Sequence, residues 1–165
     1  MQMIIATSGR LTLTQQHADA IRRHGARDYP SECCGILLGQ ADGDQKEVAE
    51  VVPLANLRHD PERAQELLPL DEPGRESEQN RFLIDPREQI RVEKEARAKG
   101  LDVVGYYHSH PDHPAHPSNY DRDHAWPWYS YVILTVREAE PGEMTSWVLS
   151  EDRSRFDAEA MEILS

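Results

Sequence analysis

Cysteine is nearly missing from this chain. The two present among 165 residues, Cys33 and Cys34, are neighbours. Adjacent Cα atoms lie about 3.8 Å apart, short of the roughly 4.4–6.8 Å that a relaxed disulfide spans, so a bridge between them would be strained. With no third cysteine there is no disulfide framework, which suits a reducing compartment, and both thiols read as small core residues rather than ligands. Positive charge is scarce as well. Eighteen Lys and Arg against 30 Asp and Glu leave a net charge of −12, which argues against a nucleic-acid partner, because phosphate binding needs a basic face. Long apolar runs are the third absence. No charged segment followed by about 7–15 apolar residues opens the sequence, and nothing approaches the ~20 residues of a membrane span. The expectation is a cytoplasmic protein with no membrane partner.

What remains is one domain's worth of chain, residues 1–165, long enough to bury roughly 70% of its unfolded surface. A hydrophobic fraction of 38% and a mean hydropathy of −0.72 call for a compact core and polar loops. Residues 3–6 read as an edge strand. Thr14 caps a helix running to about Arg27, with Ala18 and Ile21 on its apolar face, and Tyr29-Pro30 ends it. Residues 33–38 (CCGILL) form a buried strand closed by Gly39, and Ala41-Asp42-Gly43-Asp44 carries the Asp-Gly hairpin signature before a return strand at 47–54. A short strand at 81–84 precedes a helix capped by Asp85 with Pro86 at its first position, ending near Gly100. Strands follow at 102–109 and 129–136, with a short helix between them from Ser118 to about Ala125. A strand at 145–149 returns across a turn at Pro141-Gly142, and the tail from Phe156 has helical spacing. This order implies an α/β (α+β) fold, a mixed central β-sheet flanked by helices.

Between Asn56 and Asn80 the pattern breaks into an acidic, Pro-containing stretch with a small apolar knot at Leu67, Leu68 and Leu70. It reads as an insertion at about 57–79, either a solvated loop or a segment whose knot docks on a partner or over the active site.

The chain is organised around residues 103–123, VVGYYHSHPDHPAHPSNYDRD. Side chains two apart on a strand share a face, so His108 and His110 project together and Ser109 projects oppositely. Ser118 as N-cap and Asp121, three residues on, point back to one spot. Two imidazoles and a carboxylate thus converge from a strand end and a helix start, as a tetrahedral zinc ion with one open position requires. Such a site holds one Zn2+ per chain with a bound water, whose pKa zinc lowers from about 15.7 to about 7.

The run His108-Ser109-His110, seven residues, Ser118, two residues, Asp121 resembles the JAMM motif of the JAB/MPN zinc metalloproteases. Tyr29-Pro30-Ser31-Glu32-Cys33-Cys34-Gly35-Ile36-Leu37-Leu38-Gly39 resembles that family's strand bearing the catalytic glutamate, and Arg81-Phe82-Leu83-Ile84-Asp85-Pro86 its entry to the second helix. The likeness is to the small single-domain bacterial members and implies the JAB/MPN (cytidine-deaminase-like) fold. It further implies Glu32 as the group that takes the water's proton and hands it to the leaving amine, and a substrate that is the C-terminal Gly-Gly tail of a ubiquitin-like sulfur-carrier protein, with release of cysteine in some members. Ser118 beside the metal is placed to donate a hydrogen bond to the oxyanion. The insertion is longer than those members usually carry, and His113, His116 and His124 fall outside the motif.

Each piece has a plainer reading. Ser118-x-x-Asp121 taken singly is a capping-box-like helix start. Five of the eight histidines lie between His108 and His124, so a histidine-rich metal-buffering loop is an alternative. His113, His116 and His124 read as solvated loop positions or outer partners. A deubiquitinase-like isopeptidase acting on lysine-linked conjugates, and a non-catalytic scaffold on the same fold, are the other functional readings.

Overall fold

The computed structural model describes residues 6–57, 62 and 83–165. The expected apolar knot at Leu67, Leu68 and Leu70, nearly all of the insertion, and most of the first edge strand lie outside these residues.

Seven strands and three helices of defined bounds occur among the described residues: β1 (Ala6–Thr14), α1 (Gln15–Asp28), β2 (Cys34–Asp42), β3 (Gln45–Leu54), α2 (Pro86–Ala98), β4 (Asp102–Pro111), α3 (Asn119–His124), β5 (Ser130–Arg137), β6 (Glu140–Leu149) and β7 (Phe156–Leu164). The sheet is mixed, in the order β1-β3-β2-β4-β5-β6-β7, and it closes because β1 also pairs with β7. β4 and β5 run parallel, with His108 opposite Ile133, while β2 and β4 run antiparallel, with Cys34 opposite His108.

Local chemistry accounts for the helix starts. The Thr14 hydroxyl accepts from the His17 N–H, and His17 Nδ1 accepts from the Thr14 N–H, a reciprocal cap. Asp85 accepts from the Arg87 N–H ahead of Pro86, whose missing N–H has no helical partner to lose. The apolar stripe of α1, Ala18 and Ile21, packs with Leu11, Leu37, Val132, Leu134 and Tyr107. On the other face of β2, Val92 and Ala96 of α2 pack with Cys34, Ile36 and Leu38. β2 is therefore covered on both sides, which explains its unbroken apolar run. No Cβ fits at Gly35, where it would fall 2.2 Å from the Tyr107 ring.

Four expectations need correction. Gly39 does not end its strand but continues β2 through a bulge, where a Cβ would strike the Glu47 carbonyl at 1.9 Å. Leu83 and Ile84 are not in a strand. The β5–β6 turn is made by Glu138 and Ala139, both at positive φ, so Pro141 and Gly142 belong to β6. The tail from Phe156 is not helical: it is β7, the strand that closes the sheet. Its inward positions are Glu159, Met161 and Ile163, and the first of these is a carboxylate, which hides the alternation. Glu159 is accommodated because Lys46, equally buried, lies 3.4 Å from it, and the Ser130 and Ser146 hydroxyls donate to it at 2.6 and 2.8 Å. Lys46 also donates to the Trp128 carbonyl and lies over the Trp128 ring.

Candidate active site

His108 and His110 stand near the C-terminal end of β4, buried and half-buried respectively. Ser118 caps α3. Its Oγ accepts from the Asp121 N–H at 3.1 Å, and the Asp121 carboxylate accepts from the Ser118 N–H at 2.8 Å. The capping box and the convergent carboxylate are thus one arrangement, because the cap itself turns Asp121 toward β4. His108 Nε2 lies 3.1 Å from Asp121 Oδ1, and His110 Nε2 lies 3.2 Å from Asp121 Oδ2. The two Nε2 atoms are 3.1 Å apart.

This triangle is informative about what it can hold. His110 Nδ1 is 3.0 Å from the Pro114 carbonyl and must donate to it, so a neutral His110 turns a bare Nε2 toward a carboxylate oxygen. Lone pair then faces anionic oxygen, and either a proton or a cation has to sit between them. Without a cation, burial lowers the His110 pKa, but the hydrogen bond and charge of Asp121, with the Pro114 carbonyl and Glu32, outweigh it and hold the imidazole above its ordinary value. Burial likewise pushes Asp121 up, yet the charge of His108 and the bonds from both histidines drive it well below the usual carboxylate range. The donor spacing suits a cation. Bonds of about 2.0–2.1 Å to a tetrahedral ion put neighbouring ligands roughly 3.3 Å apart, close to the 3.1 Å between the two Nε2 atoms and to the distance of each from its own Asp121 oxygen. The donor set, two imidazoles and a carboxylate, fits one small divalent ion.

Glu32 lies two residues before the start of β2 and is buried. A carboxylate oxygen of Glu32 and one nitrogen from each of His108 and His110 all lie within 4.8 Å of one another. Glu32, His110, Ser118 and Asp121 line a cavity of about 390 Å³, together with Pro111, His113, Pro114 and His116. The structure therefore brings all five expected residues together. His113 and His116 are exposed at its rim, the latter with its ring 5.4 Å from that of Trp147. His124 stacks on Tyr120 and lines a separate groove. Cys33 and Cys34 are fully buried, and burial raises both thiols, Cys33 to about 12, so they belong to the core.

A family model described as prokaryotic homologs of the JAB domain, Prok-JAB, matches residues 14–150. The chain belongs to this family. The Prok-JAB match takes in β2, β4 and α3, and so every residue of the candidate site, and the mixed sheet with flanking helices is the JAB fold. A protein named desampylase from Haloferax volcanii is 34% identical over 161 residues, covering 94% of this chain and 99% of its own. A protein named CysO-cysteine peptidase from Mycobacterium tuberculosis is 26% identical over 138 residues, covering 83% and 81%. The solution structure of a protein from Desulfitobacterium hafniense superposes with a TM-score of 0.71 at 32% identity, over 93% of this chain and 92% of that one.

Two residues without an expected role touch the frame of the site. Strand alternation asks of Ser109 only that it point away from its histidine neighbours, and it does so, to bond the backbone beside Glu32. Asn56, at the edge of the insertion, carries no sequence signal that separates it from a loop residue, yet it is buried and bonds the same backbone.

Proposed function

We propose that this chain is a zinc-dependent peptidase that hydrolyses the peptide or isopeptide bond at the C-terminal Gly-Gly tail of a ubiquitin-like carrier protein. It acts as one JAB domain over residues 1–165, with the stretch at about 57–79 as an insertion. The observation that carries this reading is the triangle of His108, His110 and Asp121 beside the Glu32 carboxylate. Relatives named desampylase and CysO-cysteine peptidase support conjugates of ubiquitin-like proteins as the substrate class.

His108, His110 and Asp121 would hold the metal, with His110 kept in the correct tautomer by the Pro114 carbonyl. When bound, zinc supplies Lewis acidity, polarising the scissile carbonyl and making water acidic enough to attack near neutral pH. Glu32 takes the proton of the attacking water and delivers it to the leaving amine. Ser118 uses its Oγ lone pair to cap α3, which leaves its O–H to donate to the oxyanion as the carbonyl becomes tetrahedral.

Two leaving groups fit this chemistry. One is the lysine side chain of an isopeptide-linked conjugate, and the other is cysteine from a linear adduct, which the name of the mycobacterial relative favours. The test offers zinc-loaded protein a Gly-Gly-ended carrier joined either to a lysine side chain or to cysteine, at neutral pH. Cleavage directly after the second glycine is expected, and the faster substrate identifies the leaving group. If both stay intact with about one zinc bound per chain, the protein is a scaffold on this fold; several weakly bound ions would point to a histidine metal buffer.

A further inference from the structure

Glu32 stands outside the sheet. β2 begins at Cys34, so the ladder does not fix the backbone from which the Glu32 side chain springs. Two side chains fix it instead. Asn56 Nδ2 donates to the Glu32 carbonyl at 3.0 Å, and the Cys33 N–H donates to Ser109 Oγ at 2.8 Å. These are the two polar atoms of a single peptide unit, and in a trans peptide they point in opposite directions, so the plane is gripped from both sides. Each grip is tied down in turn. Asn56 Oδ1 accepts from the Leu83 N–H at 2.9 Å, and the Ser109 N–H donates to the Cys33 carbonyl at 3.2 Å. Both side chains are withdrawn from water, Ser109 completely and Asn56 to 6% exposure. Ser109 sits between the two histidines of the triangle, so the strand that presents His108 and His110 on one face holds the Glu32 backbone with the other.

We propose that Asn56 and Ser109 are positioning residues for Glu32, fixing the Glu32–Cys33 peptide so that the carboxylate keeps its place beside the two imidazoles. This rests on the reading of Glu32 as the proton carrier. A base works only within hydrogen-bond reach of its proton, and a shift of about 1 Å is enough to cost roughly a hundredfold in rate. Rotation of an unclamped peptide plane moves the side chain by that order.

The test uses zinc-loaded, full-length protein and a Gly-Gly-ended carrier conjugate. Asn56→Asp keeps the size and the acceptor for Leu83 but sets an oxygen against the Glu32 carbonyl; Ser109→Ala removes the acceptor for Cys33. Each is expected to lower kcat by about tenfold to a hundredfold, with KM unchanged and bound zinc still near one per chain. Ser109→Thr, which keeps the hydroxyl, should restore most of the loss. In a Glu32→Gln background, adding Asn56→Asp should cost nothing further, because the group it positions has already lost its function. Wild-type kcat per bound zinc in both single variants overturns the proposal, as does a loss that tracks zinc content or that multiplies on top of Glu32→Gln. Full turnover by Glu32→Gln alone is a separate failure: it removes the reading of Glu32, and the clamp is left with nothing to position.

Discussion

Asp121 is held by two demands, the cap of α3 and the face of β4, and one carboxylate geometry meets both. Glu32 answers to neither demand; it is buried, with a carboxylate oxygen within 4.8 Å of a nitrogen of each histidine, close enough to be a ligand or a base. Substitutions should therefore separate holding from chemistry. Asp121→Ala should empty the metal site, read as zinc retained after desalting. Glu32→Gln should retain zinc while turnover collapses; loss of both together would mean that Glu32 is a ligand. Ser118→Ala removes a cap and an oxyanion donor at once. It should destabilise the fold by about 0.5–2 kcal/mol through the cap, seen in denaturant melts. It should also raise the barrier by about 2.7–4 kcal/mol, seen as a fall in kcat at unchanged zinc content. A variant that melts earlier but turns over normally would confine Ser118 to capping.

At the level of strands and helices, what was legible in the sequence were the pieces whose signals are local. Thr14, Asp85-Pro86 and Ser118 announce helix starts because capping is settled within four residues, and Asp42-Gly43 announces its hairpin because the turn needs positive φ at Gly43. The pairing of His108 with His110 was equally legible, since it depends only on strand alternation. β7 was not, because its alternation is interrupted by Glu159, whose partner Lys46 is 113 residues away in sequence. Asn56 is illegible for the same reason, its bonds running to Glu32 and Leu83. The buried Lys46–Glu159 pair makes a prediction about barrel closure. Removing one partner strands the other charge, so Glu159→Gln should cost about 3–5 kcal/mol, while Lys46→Met with Glu159→Leu should recover part of it, the buried Ser130 and Ser146 hydroxyls then lacking their acceptor. Urea unfolding of the three proteins measures this, and equal stability of the single and double variants would sink the idea that the charge pair, rather than side-chain shape, sets the cost.

At the scale of the molecule, two of the described histidines respond to pH with opposite sign. His24 is buried, with Nδ1 2.7 Å from the Tyr107 hydroxyl and Nε2 3.2 Å from Asp28. Burial lowers its pKa, against the charge of Asp28. The unfolded chain therefore binds this proton more readily, and the contribution of His24, present above about pH 6.5, is lost as pH falls through its depressed folded value. His110 behaves oppositely when no cation is bound. Its raised folded value makes its contribution present below about pH 6.5 and lost as pH climbs through that value. Asp121, depressed, contributes above about pH 3.9 and fails only in strong acid. The metal-free protein should accordingly be most stable near pH 6.5, falling on the acid side through His24 and on the alkaline side through His110. Zinc changes the alkaline side alone, because it needs the imidazoles deprotonated. Its stabilisation, about 2.7 kcal/mol at a free concentration a hundred times Kd, should shrink toward pH 5 and be fully expressed by pH 8. Denaturant melts of chelator-treated and zinc-loaded protein from pH 5 to 8 should therefore coincide at the acid end and diverge steadily toward the alkaline end. Parallel curves, offset equally at every pH, would mean that zinc binds somewhere other than on His108 and His110.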